Sequence, residues 1–256
     1  NWRNILNMEI HKETTEMISG DGMDLSAARP DELMEILVGE VLVLNLLGKA
    51  LYEEPDRAWL EALIADQVFD ESPFGADQPE IILGLELLQD WSQPRAGGLS
   101  ETDFRDIKMD YTRLFIGLGT LPTAPWESVY FNRERLVFQE QTLQVREWYS
   151  SFGLQNEKLN REPDDHIGLE ILFVSHLASL ALQAIERDDQ DSLEKNLQAQ
   201  RDFLSEHLLR WGPMWVTLVT QYAATGFYRG IAHLAHGAML ALAAALTISM
   251  PKEVHA

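Results

Sequence analysis

Apolar residues recur along this chain at intervals of three and four, stretch after stretch, and each stretch stops at glycine, proline or a run of short polar residues. That spacing puts the apolar side chains on one face of a helix. Sustained period-two alternation between hairpin signals is missing from the sequence, so a sheet has nothing to build from. The chain reads as all-α, a body of roughly ten helices. Its 256 residues suffice for one sizeable core.

The stripes can be placed. Leu33, Ile36, Leu37, Val41, Leu44 and Leu47 follow Pro30, with Asp31 as the candidate N-cap. A second helix starts near Asp56 with Trp59, Leu60, Leu63 and Ile64 on one face, and a third near Pro79 carries Ile82, Leu85, Leu88 and Trp91. Pro94, Gly97 and Gly98 end the third. Ser100 and Asp103 form a capping-box-like start for a helix through Phe104, Ile107, Tyr111 and Phe115, which Gly117 and Gly119 close. Another helix spans about 139–152, and a polar stretch at 154–165 reads as a hinge-like linker between two helical subregions. Beyond it, Leu169, Leu172, Phe173, His176, Leu177 and Leu180 form a strong stripe; Asp164 or Asp165 is placed to cap it. Helices over 191–209 and 213–224 follow, Gly226 breaks the chain, and 229–248 closes it. The apolar stretch Ile231–Ile248 carries two histidines and many alanines and reads as a buried helix. Residues 1–30 are more polar and read as an extension to the helical domain at 31–256. They show no basic segment leading into an apolar run, as a secretory signal would.

Charge and composition exclude several functions. The net charge is −21, which argues against gripping a phosphate backbone by general charge and favours basic partners. Most of it lies early: residues 1–110 hold 24 acids against 8 bases. There is no cysteine, so disulfides, thiolate metal sites and thiol nucleophiles are all excluded. Gly48-Lys49 resembles the end of a phosphate-binding loop, but Val43 and Ala50 stand where that loop needs Gly and Ser or Thr. His233 and His236 lie on one helix with no acid near them in sequence, and read as core or satisfied histidines.

Two segments stand apart. In the first, Tyr111, Leu114, Phe115 and Gly117 lead into Leu121, Pro122 and then Pro125-Trp126-Glu127-Ser128-Val129-Tyr130. Proline stiffens such a loop and the aromatic side chains give it an amphipathic face, suited either to capturing a peptide or to plugging the core. The second is Glu162-Pro163-Asp164-Asp165-His166, with Glu170 on the same helical face as His166. A carboxylate beside an imidazole at a helix start can hold a polar backbone, a metal, or only the helix itself.

Together, and in this order, the two segments resemble the TorD/DmsD/NarJ family of redox-enzyme maturation chaperones, with the Pro-Trp-Glu-Ser-Val-Tyr form closest to the TorD/DmsD branch. The resemblance implies an all-helical cytoplasmic protein with no catalysis and no cofactor of its own. Its partners would be the twin-arginine signal peptide and the apo form of a molybdenum-cofactor oxidoreductase, held back from export until the cofactor is in place. Monomers and domain-swapped dimers are both expected, with residues 154–165 as the exchange hinge. On this reading Leu121, Pro125, Trp126 and Tyr130 line an apolar groove. Glu127, Asp165 and Glu170 meet guanidinium groups, and His166 orients Asp165 or donates to the peptide. Two other classes compete. One is a metal-dependent helical hydrolase using Asp165, His166 and Glu170 with His176; the other is an acidic helical adaptor for a folded partner.

Overall fold

The computed structural model describes residues 29–117, 121–156 and 161–249. The expected extension at 1–30 lies almost wholly outside them, as does Gly119. Among the described residues the secondary structure is helical: α1 (Pro30–Tyr52), α2 (Arg57–Ala65), α3 (Pro79–Ser92), α4 (Glu101–Tyr111), α5 (Glu140–Ser151), α6 (Ile167–Glu186), α7 (Gln190–Phe203), α8 (Leu209–Tyr222) and α9 (Gly226–Ala245). No strand is formed there; one isolated antiparallel bridge joins Trp126 to His166.

Local chemistry explains most of the boundaries. Asp56 accepts from Trp59 N at 2.8 Å and starts α2. Ser100 and Asp103 make the reciprocal bonds of a capping box at the head of α4, at 3.1 and 3.2 Å. Asp31, however, lies inside the first turn of α1. The cap position is Arg29, whose N–H and guanidinium both reach Glu32. Gly226 does not break the chain but opens α9; the break is at Ala223–Thr225, and Thr225 is the cap.

Pro213 was expected to begin a separate helix and instead sits inside α8. A proline there removes one backbone donor and crowds the carbonyl four residues earlier. A π turn at Leu204–Leu208 precedes it and joins α7 to α8 without a break.

Two pairs of helices cross closely. α1 packs along α6, and α3 along α9. At the first crossing, a Cβ on Gly48 would lie 2.4 Å from Leu172 Cγ, so Gly48 serves contact rather than phosphate. At the second, a Cβ on Gly84 would lie 2.7 Å from Leu234 N, leaving no room for a side chain. α7 and α8 complete the core against α6 and α9. Trp211, Trp215, Phe173 and Phe203 are fully buried there, where aromatic rings contribute large apolar area.

α6 and α9 are buried on nearly every side. α6 is long and apolar enough to cross a membrane by length and composition, but most of it is enclosed by its own fold. His233 does have an acid beside it, from another element: Glu80 on α3 lies 2.7 Å from its Nδ1. Burial would raise the Glu80 carboxyl, but His233 and His236 outweigh it and hold the group below its ordinary range.

Candidate functional site

The two segments singled out in the sequence are joined directly. Glu127 N donates to Asp165 O at 2.9 Å, and Ile167 N donates to Pro125 O at 2.8 Å, flanking the Trp126–His166 bridge. The joint brings the proline-rich loop against the start of α6. Side chains then lock it. Asp165 accepts from Ser128 N and from Thr142 Oγ1, each at 2.7 Å, so one carboxylate ties the loop to α5.

Neither aspartate caps α6. His166 does so, with Nδ1 accepting from Gly168 N at 3.1 Å. An accepting Nδ1 carries no proton, so this cap requires the tautomer with hydrogen on Nε2. The imidazole packs edge-on against Tyr52 and Trp126, with centroids 5.2 and 6.2 Å away. Asp164 turns the other way, to Arg146 Nε at 2.9 Å. Burial raises the Asp164 carboxyl, and Arg146 offsets part of that rise.

Behind the loop lies a buried acid group. Glu127 Oε2 is 2.8 Å from His207 Nδ1 in the π turn. Glu170 Oε2 accepts from Trp211 Nε1 at 3.2 Å, one helical turn further on. Burial raises both carboxyls. His207 restrains the rise at Glu127, while the nearby charges of Glu127 and Asp165 lift Glu170 further, well above the carboxylate range. The second oxygens of Glu127 and Glu170, Trp126 Nε1 and Ser128 Oγ are all buried without a hydrogen-bond partner.

The expected site residues thus gather in one neighbourhood, at different depths. Leu121, Trp126 and Tyr130 are half-exposed, whereas Pro125, Glu127, Asp165, His166 and Glu170 are buried. Tyr130 donates to Ala124 O at 2.8 Å and packs against the Trp211 ring at a tilt, with centroids 5.3 Å apart. The loop is held from beneath as well, where Trp215 Nε1 donates to Thr123 O at 3.2 Å.

Sequence reasoning did not find Thr142, Arg146, His207, Trp211 or Trp215. Thr142 and Arg146 come from the helix between the two segments and the other three from beyond α7, and spacing carries no signal of such partners. The one hint at His207 is chemical: a histidine inside an apolar helix needs a polar partner.

These residues do not build a metal centre. Among the described residues, no three His, Asp or Glu side chains are placed to hold an ion. Asp165 has both oxygens engaged, and His176 lies ten residues beyond His166 on α6, about 15 Å along the axis. The hydrolase expectation therefore lacks its ligand set.

Comparison with known proteins agrees. Residues 82–217, which contain both segments, match the family model described as nitrate reductase delta subunit. The chain is 33% identical over 166 residues to Chaperone protein TorD of Vibrio cholerae, covering 65% of this chain and 70% of that one. It is 33% identical over 125 residues to Tat proofreading chaperone DmsD of Salmonella typhi, covering 49% and 54%. With Probable Tat proofreading chaperone DmsD of Haemophilus influenzae the identity is 27% over 190 residues, covering 74% and 83%.

An all-helical body, two joined motif segments and these likenesses define the class: a chaperone, not an enzyme. The chain belongs to the nitrate reductase delta subunit family, which includes the TorD, DmsD and NarJ proteins.

Proposed function

We propose that this protein is a cytoplasmic chaperone for a molybdenum-cofactor oxidoreductase. It binds the twin-arginine signal peptide, the apoenzyme or both, and delays export until the cofactor is inserted. The observation that carries the proposal is the backbone joint between Pro125–Glu127 and Asp165–Ile167, which makes one unit of the two family motifs and leaves Trp126 at its outer side. The names of the relatives, a Tat proofreading chaperone among them, support the same reading.

On this proposal Leu121, Trp126 and Tyr130, backed by Pro125, meet the apolar part of the peptide. Glu127, Asp165 and Glu170 fix the shape of the loop from behind; direct pairing of Glu170 with a guanidinium requires the loop to lift and the raised carboxyl to give up its proton. His166 holds the start of α6, so Asp165 stays aimed at Ser128. The helical domain from residue 31 onward works as one body, with 154–165 as the hinge at which two copies exchange parts to form a dimer.

The test is a calorimetric titration of a synthetic twin-arginine signal peptide against wild type and Trp126→Ala. A half-exposed aromatic anchor of this kind contributes about 1–3 kcal/mol, so the variant should bind roughly 5- to 150-fold more weakly. A folded variant that binds as tightly as wild type removes the loop from the site.

A further inference from the structure

An open groove of 730 Å³ runs beside the motif loop, between α5 and the π turn that joins α7 to α8. Gln144, Glu147, Trp148 and Ser151 form one wall. Their spacing is that of a single helical face. Glu206, His207 and Arg210 form the other wall. His207 at the base is the partner of Glu127, so the groove touches the loop through one hydrogen bond.

The walls have a particular chemistry. Glu147 and Glu206 are exposed on opposite sides, and neither carboxylate makes an ion pair among the described residues. The cation among the lining residues is already engaged: Arg210 sits 4.6 Å over the Phe131 ring and donates to Glu206 O at 3.2 Å. The rim is apolar. Leu143, one turn before Glu147 on the same face, is 55% exposed, and Phe131 beneath Arg210 is 38% exposed. Between them the chain keeps Leu136 and Phe138 in solvent, with Arg135 and Phe138 at φ +54° and +59°. Bulky residues rarely adopt that backbone, and exposed strain of this kind is a mark of binding segments.

We infer that this groove and its Phe131–Leu143 rim receive a segment of the client in which apolar residues adjoin Arg or Lys. Two unpaired carboxylates on the two walls of one groove suit a cation, and the exposed apolar side chains of the rim suit the apolar residues next to it. The inference rests on the chaperone reading above and adds a second contact surface to it. The peptide then spans from the Trp126 loop across His207 to α5, and the buried acids need not be reached directly.

The probe is a labelled twin-arginine signal peptide, with a control peptide in which both arginines are glutamine. Binding is read by fluorescence anisotropy for wild type, Trp126→Ala, Leu143→Asp and the double variant Glu147→Lys/Glu206→Lys. All three groove substitutions are at exposed positions, and circular dichroism verifies the fold. Leu143→Asp is expected to weaken binding of the arginine peptide by about tenfold. The double variant is expected to abolish the preference for arginine over glutamine. Groove variants that bind like wild type while Trp126→Ala binds more weakly overturn the groove and leave the proposed function standing. A wild-type protein with no affinity for the arginine peptide overturns the signal-peptide part of the proposed function, and the groove's occupant with it.

Discussion

Asp165 meets the chain in two distant places at once, and that is its importance. Its carboxylate is wholly buried and accepts from Ser128 N in the loop and Thr142 Oγ1 on α5. Substituting alanine leaves the buried Ser128 amide without its partner, so Asp165→Ala should lose about 2–4 kcal/mol in urea unfolding. Glu40 makes an opposite case. It is buried on α1 and bonded to Gln200 on α7 at 2.9 Å, while its other oxygen lacks a partner. Burial pushes its carboxyl up to about 8, against 4.5 when unfolded, with the Gln200 bond working the other way. The folded form therefore favours the protonated acid. Its contribution is fully present below pH 4.5 and is lost as pH rises through about 8. Glu40→Gln should flatten that loss, giving a melting temperature at pH 9 closer to its value at pH 6 than wild type shows. A wild-type curve flat over the same range would contradict it. Neither role was legible in the sequence. Spacing offers Asp165 as a helix cap and sets Glu40 beside Leu37 and Leu44, but it shows neither acid's partner, because those partners come from other elements.

At the scale of elements, legibility was far better, since helix starts and stops are local chemistry. Asp56, Ser100 with Asp103, and the Pro94–Gly98 breakers can be read without knowing what packs against them. Pro213 misleads because a local rule reads proline as a helix start, whereas the structure keeps it inside α8. The helix crossings add a constraint that periodicity cannot show. A Cβ on Gly84 would press on backbone of α9, whereas one at Gly97 would meet nothing within 4 Å. Gly84→Ala should cost about 1–3 kcal/mol of thermal stability through forced separation of α3 and α9. Gly97→Ala should be nearly neutral by the same melt, and equal losses at both positions would show that crowding is not the cause.

For the whole molecule the dominant quantity is the net charge of −21. A basic peptide approaching such a surface is drawn from a distance, so its association rate should fall several-fold between low and physiological salt, with a smaller change in dissociation. Stopped-flow binding checks this, and a salt-independent association rate would remove long-range attraction from the account. The all-α architecture was legible because periodicity repeats along the whole chain. The enclosure of the acids behind the loop was not, because it is a product of assembly. The joint between Trp126 and His166 has one more consequence. Its two halves lie on either side of the hinge proposed at 154–165, so an exchanged dimer would assemble each joint from two different polypeptides. Mixing Trp126→Ala chains with His166→Ala chains and allowing exchange would then put both lesions into one joint of each mixed dimer and leave the other intact. Two binding-deficient proteins would regain capacity on mixing, a genetic complementation that a population of strict monomers cannot produce.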